Sequence, residues 1–251
     1  MQGEGKYSYC IIETKGNEER FGPLGIGGRG DELYAICFDD IAAVVSDAPI
    51  KKYSVARENL IPHECAIEEV MKSYTVLPVR FATIAENEDK VRKILEKEHK
   101  RFTDLLKNME DKKEIGLKAV FKEDIIYKDI LANYNEIRIR KEKIAKGHPR
   151  EFGLIEIGRQ VEVALEQEKE KCKQDILADL TPLALTLKIN NTYGERMILN
   201  AAFLVEKTKE AGFDLKVNEL AEKYGDKIKF KYVGTVPPFN FVNLVINTGE
   251  Y

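Results

Sequence analysis

Leu77-Pro78-Val79-Arg80-Phe81-Ala82-Thr83 closes one strand-like run, and Gly234-Thr235-Val236-Pro237-Pro238-Phe239-Asn240-Phe241-Val242 follows another. Both put prolines and aromatic residues where a sheet is finishing. Proline has no N–H to give to a ladder, so these segments mark edges, bulges or corners rather than central strands. Neither holds the His, Cys or paired carboxylates that catalysis uses. They read as built corners or edges suited to contact with another protein.

Working outward, the first half reads as an α+β unit. Tyr7–Glu13, Leu33–Phe38 and Ile41–Ser46 are short, rich in Ile, Val, Tyr and Phe, and bounded by turn residues. Asp39-Asp40 is a two-residue link between the last two, which predicts an antiparallel hairpin. Ser54 is placed to cap a helix over Val55–Tyr74, with Pro62 marking a kink or break. A strand over Thr75–Thr83 follows. Asn87 then caps a helix to about Leu106, with Val91, Ile94, Leu95, Phe102, Leu105 and Leu106 near one face.

The second half opens with a strand at Ile115–Phe121. Helical stretches at Asp124–Lys146 and Glu151–Leu180 follow, separated by Gly147-His148-Pro149. Strands at Leu183–Ile189 and Met197–Val205, a helix at Val217–Tyr224 ended by Gly225, and strands at Ile228–Val233 and Phe239–Ile246 complete it. With the two long helices counted as one layer, the core is βαββαβ, the split arrangement of a ferredoxin-like fold. The first half is a related variant with a loop where the first helix would stand. The fold class is therefore α+β, with two domains of ferredoxin-like variants, antiparallel sheets and packed helices. Residues 1–110 form the N-terminal domain. Residues 111–251 form the C-terminal one, with inserted long helices and a short C-terminal tail.

The 251 residues (28.6 kDa) suffice for two cores without a metal or disulfide staple. The 40 basic and 43 acidic side chains nearly cancel, and a net charge of −3 supplies no field for holding nucleic acid. Cys10, Cys37, Cys65 and Cys172 lie far apart with no C-x-x-C pair, as expected of reduced thiols in a cytoplasmic protein. The start of the chain has no apolar signal-peptide core, and the longest apolar run is far below the ~20 residues of a membrane helix. A soluble, cytosolic protein with no membrane partner is the expectation.

Gly25-Ile26-Gly27-Gly28-Arg29-Gly30 matches the letter of the dinucleotide motif, but it leads into the strand-like Asp31-Glu32-Leu33-Tyr34-Ala35-Ile36. The chemistry needs a helix N-terminus facing the pyrophosphate, so the segment reads as a flexible inter-strand loop. His63, His99 and His148 have no second His at ligand spacing, and the serines lack a nucleophile-elbow context. No catalytic residue, cofactor site or metal site is assigned. Arg80 lies on the strand-like run Thr75–Phe81, which Pro78 marks as an edge or a bulge, and it either pairs within its own domain or forks onto a partner's carboxylate. Pro237-Pro238 forces a change of direction before Phe239 and Phe241, which serve either the core or a partner-facing aromatic surface.

The two opening segments, together with Ile115-Gly116-Leu117-Lys118 and Leu199-Asn200-Ala201-Ala202-Phe203-Leu204-Val205, resemble the GvpF/GvpL family of gas vesicle proteins in order and spacing over essentially the whole chain. Ala82 stands where that family often has Gly, and Thr235 where it often has Pro. The Trp common near position 121 is missing. The resemblance implies two α+β domains without enzymatic activity, in an accessory or minor structural component of gas vesicle formation. It implies binding to the main, very hydrophobic shell protein and to other gas vesicle proteins, limited shell-protein aggregation during nucleation, and a place in the cytoplasm and at the vesicle. Arg80, Phe81, Pro237, Pro238 and Phe241 are the expected partner-binding residues. The rival expectation is a small-molecule-binding or regulatory ferredoxin-like protein, which would need a concave pocket with converging polar groups. A homo-oligomeric scaffold is a third.

Overall fold

Strand β1 (Glu4–Glu13) is the centre of the first sheet, flanked by β4 (Ile41–Pro49) on one side and by β5 (Val76–Pro78) and β6 (Ile84–Ala85) on the other. The computed structural model describes residues 3–146 and 151–246, so Gly147-His148-Pro149 lies outside the described residues. β3 (Leu33–Phe38) pairs with β4, and the short β2 (Arg20–Gly22) pairs with β3. Phe38 and Ile41 are register partners, so Asp39-Asp40 is the two-residue turn expected from sequence, with Asp39 at φ 52°.

A bulge at Tyr9 shifts the register between β1 and β4. The extra residue flips the side-chain alternation, so Tyr7, Tyr9, Cys10 and Ile12 all join one core. Helix α1 (Arg57–Met71) covers this face with Ala66, Ile67 and Val70. Helix α2 (Glu88–Met109) packs on β1, β3, β4 and β5 and buries Val91, Ile94, Leu95, Phe102 and Leu106. Asn87 caps α2 by accepting the Lys90 N–H at 2.9 Å.

Two local expectations at α1 are corrected. The N-cap is Ala56, while Ser54 is engaged by the Asn59 side-chain amide instead. Pro62 lies inside a continuous helix. The carbonyl it leaves without an N–H is that of Glu58, in the exposed first turn where water replaces the donor.

The second sheet runs in the order β10 (Ile228–Val236), β7 (Lys112–Phe121), β9 (Met197–Glu206), β8 (Thr186–Ile189). Alternate residues of β7 (Ile115, Leu117, Ala119, Phe121) and of β9 (Leu199, Ala201, Phe203, Val205) face one core. Helices α3 (Glu123–Asn133), α4 (Asn135–Lys146), α5 (Glu151–Leu180) and α6 (Glu210–Tyr224) supply the other layer, with Ile126, Ile130, Leu165, Ile176, Phe213 and Val217 inside. The stretch read as one helix from Asp124 to Lys146 is two, divided at Tyr134. α6 also begins seven residues before the expected Val217, and Gly225 ends it in the right-handed region.

Set aside β2 and β6, and the first sheet runs β3-β4-β1-β5. Counted in order of appearance, that is the reverse of the 4-1-3-2 order of β10-β7-β9-β8. Both sheets therefore share the ferredoxin-like order, and in the first a glycine-rich loop with β2 replaces the first helix. The fold is two-domain α+β, as read from sequence.

By packing, the chain divides into one unit of the residues up to Glu114 with those from Thr235 onward, and a second of Ile115–Gly234. The closing segment thus groups with the first unit, where the sequence reading drew its boundary at 110/111 and kept the tail with the second half.

Candidate functional site

His63 lies on the buried stripe of α1 formed by residues 63, 66, 67 and 70 and is 2% exposed. Its ring stacks on Tyr9 (centroids 5.6 Å) and meets Tyr7 (5.7 Å) and Phe81 (5.6 Å) edge-on. The Tyr7 hydroxyl accepts the Ala82 N–H at 3.0 Å and lies 3.2 Å from His63 Nδ1. With one lone pair engaged by Ala82, the Tyr7 O–H is available to donate to Nδ1, the tautomer that carries the ring proton on Nε2; Nε2 has no well-aligned partner. Burial pushes the imidazole down to about 4, and the Val79 carbonyl only partly opposes this. His63 is a neutral, buried member of an aromatic cluster.

The segment Leu77–Thr83 is built around that cluster. Val76, Leu77 and Pro78 pair with Ile12, Ile11 and Cys10, and Val79 N–H donates to the Tyr9 carbonyl at 2.9 Å. The chain then turns tightly. Thr83 Oγ1 donates to the Arg80 carbonyl at 2.7 Å, Ala82 takes φ 64°, and Ser8 N–H donates to the Thr83 carbonyl. The single strand expected over Thr75–Thr83 is thus interrupted into β5, a turn and β6. Ala82 occupies a left-handed position that glycine adopts without strain, which explains the glycine common at this point of the resembled pattern.

The closing segment is not the strand expected at Phe239–Ile246. Phe239, Phe241 and Val242 N–H groups turn back onto the Pro237 and Pro238 carbonyls (2.7, 3.1 and 2.8 Å), which curls the backbone instead of extending it. Asn240 is held by a buried carboxylate: Glu114 Oε2 accepts its main-chain N–H at 2.9 Å and Oε1 its side-chain amide at 2.5 Å. Beyond the curl, Leu244 forms a parallel bridge with Val79, and Arg80 N–H donates to its carbonyl at 3.3 Å. Just past β5, the outer side of the chain at Val79 and Arg80 is therefore taken by the closing segment.

Arg80 and Phe81 come together with the closing segment. Phe239, 40% exposed, sits 6.3 Å from the His63 ring that Phe81 also contacts. Arg80 is exposed, and its guanidinium has no ion pair among the described residues. Phe81 and Phe241 are half-buried, while Pro237 and Pro238 are buried and act as supports. Sequence reasoning missed His63, Glu114 and Asn240. The 63-66-67-70 spacing on α1 was the available signal for His63. Nothing local marks a contact between residues 126 positions apart.

Other candidates resolve into structure. Ile26 anchors the glycine-rich loop: it is fully buried and its N–H donates to the Tyr9 hydroxyl at 2.7 Å. No helix follows the loop. Asp39, Asp40 and His99 bring three donor atoms within 4.8 Å, the grouping a metal ion would use, and His99 Nε2 lies 2.6 Å from Asp40 Oδ1. The hydrogen bond between His99 and Asp40 ties the β3–β4 turn to α2. A 580 Å³ concavity beside β1 and β3 is lined by charges that largely pair among themselves, such as Lys6 with Asp47 at 2.6 Å and Arg20 with Glu32. All four cysteines are unpaired thiols, and no described helix is long and apolar enough to cross a membrane.

Comparison with known proteins agrees with this architecture. The chain is 24% identical over 209 residues to gas vesicle protein F of Dolichospermum flosaquae, covering 82% of this chain and 85% of that one. It is 28% identical over 225 residues to gas vesicle protein F of Streptomyces sp., covering 88% and 93%. The crystal structure of GvpF from Anabaena sp. PCC7120 superposes with a TM-score of 0.82 at 24% identity, covering 97% of this chain and all of that one. The family model described as gas vesicle synthesis protein GvpL/GvpF matches residues 5–243. The chain belongs to the GvpL/GvpF family of gas vesicle synthesis proteins and has a role in gas vesicle formation.

Proposed function

We propose that this protein is a non-catalytic accessory or minor structural component that binds the main gas vesicle shell protein and limits its aggregation during nucleation. It acts in the cytoplasm and at the growing vesicle. A shell protein built to exclude water exposes apolar surface before it assembles, and such surface aggregates readily. An accessory protein keeps it dispersed by covering that surface while its own charged helices hold the complex in solution.

The observation that carries the reading is the convergence of Phe81 and Phe239 on His63, with the exposed Arg80 next to Phe81 in the chain. Three sequence-distant segments meet there in partly exposed aromatic rings, and the segment that supplies Phe81 also carries the exposed Arg80. Such a pairing of Arg with aromatic anchors is the composition of protein-binding hot spots. Because Leu244 already bridges Val79 beside Arg80 and Phe81, contact at this place is made by side chains rather than by adding a strand there. The test is co-expression with the shell protein followed by affinity capture. Co-capture that weakens at least tenfold in Arg80→Glu with Phe239→Ser, at unchanged thermal stability, is expected; undiminished capture by that variant overturns the placement.

A further inference from the structure

Phe81 and Phe239 both sit in turns, outside any strand ladder. Each is followed by a residue whose main-chain N–H is captured by a buried side-chain oxygen. After Phe81, the Ala82 N–H donates to the Tyr7 hydroxyl at 3.0 Å. After Phe239, the Asn240 N–H donates to Glu114 Oε2 at 2.9 Å, and the Asn240 side-chain amide donates to Oε1. Tyr7 is fully buried and Glu114 is 3% exposed, so neither acceptor reaches the surface.

The pattern matters because a turn has no ladder to fix its orientation. The two rings pack against the same His63, at 5.6 and 6.3 Å between centroids, and Tyr7 lies 6.4 Å from Phe81. Ring contacts of this kind leave a range of angles open. A hydrogen bond is directional, and one made away from water is not exchanged for a bond to solvent, so it fixes the main chain one residue beyond each ring. Two bonds to one carboxyl group fix Asn240 in orientation as well as in position.

We propose that Tyr7 and Glu114 are positioning residues of the surface made by Phe81 and Phe239. Each holds the turn that presents one ring, so that the shell protein meets both rings already in place. This rests on the shell-protein reading above and adds to it two residues that never touch the partner. Side chains ordered before contact do not have to be ordered by binding, a difference of about fivefold in affinity for each immobilised ring.

The test measures shell-protein binding well below the melting temperature of every variant. Tyr7→Phe keeps the ring and removes only its anchoring oxygen, and Glu114→Ala removes the other anchor. Each is expected to weaken binding about fivefold or more. Glu114→Gln keeps an oxygen for the Asn240 N–H and is expected to recover most of that loss. Ile36→Ala serves as the control for lost stability. Ile36 is buried on β3, separated from β5 by β4 and β1, and its variant is expected to bind within about twofold of wild type. Coupling in binding separates positioning from general support of the fold. Phe239→Ser should weaken binding about threefold less in Glu114→Ala than in wild type, and Phe81→Ser about threefold less in Tyr7→Phe. Wild-type binding with undiminished binding by both anchor variants overturns the positioning role and leaves the shell-protein reading standing. An equal loss in Ile36→Ala, or losses that multiply independently within each pair, does the same. Failure of the wild-type protein to bind shell protein overturns both.

Discussion

The buried carboxylate of Glu114 accepts both the main-chain N–H and the side-chain amide of Asn240, at 2.9 and 2.5 Å, and so fastens the closing segment from 126 residues away. Glu114 is 3% exposed, so the pair works where water does not compete. Its position immediately after the Pro-Pro curl fixes where Phe239 lies, and with it the aromatic surface around His63.

Glu114→Ala removes the acceptor of both bonds, whereas Asn240→Ala removes the side-chain amide and keeps the main-chain N–H on Glu114. Glu114→Ala, which removes both bonds, is expected to destabilise by about 2–3 kcal/mol, and Asn240→Ala, which removes one, by about 1–1.5 kcal/mol. In a double-mutant cycle by urea denaturation, a coupling energy of about 1 kcal/mol is expected. Additive losses would show that the contact contributes nothing as a pair.

His63 gives stability a pH dependence whose sign is fixed by burial. Its folded value, about 4, lies below the ordinary 6.5, so the native state favours the neutral ring. This contribution is fully present above pH 6.5 and is lost as pH falls from there through 4. Complete protonation costs about 3 kcal/mol. The difference in stability between wild type and His63→Phe, followed from pH 7.5 to 4 by thermal unfolding, should shrink toward low pH; a constant difference would contradict it.

Ala82→Gly relieves a left-handed residue at φ 64°. The cost of that conformation for alanine, about 1 kcal/mol, exceeds or balances the extra chain entropy of glycine. The expected change is a stabilisation of up to about 1 kcal/mol, read as a rise in Tm. A clear fall would mean that the alanine methyl makes a contact worth more than the strain.

Tyr7→Phe deletes the hydroxyl that accepts the Ala82 N–H and hydrogen-bonds His63 Nδ1. A loss of about 1–3 kcal/mol is expected, because two polar groups lose their partner inside a buried cluster. The His63 ring should also titrate differently by NMR, whereas an unchanged His63 titration would show that the hydroxyl does not set its tautomer.

Much of the fold was legible because its signals are local. Asn87 before an amphipathic run gave α2 its start, Asp39-Asp40 gave the hairpin, and the alternation in β7 and β9 gave the second core. The strand order followed from counting elements. Phe239–Ile246 misled because its composition suits a strand, while the preceding proline carbonyls capture its N–H groups and curl it. Thr75–Thr83 misled similarly, since nothing in its apolar pattern announces the left-handed Ala82. Of the site, Arg80 and Phe81 were visible beside a proline-marked edge. His63 was passed over as a lone histidine, and the Glu114–Asn240 tie depends on contacts that only the folded chain creates.

Shell-protein binding is tested most directly by diluting the denatured main shell protein into buffer with increasing amounts of this protein and measuring what sediments. A saturable transfer of shell protein from pellet to supernatant, reaching at least half at a fixed molar ratio and absent with an unrelated acidic protein, is the predicted result. Shell protein that pellets to the same extent at every ratio would contradict it.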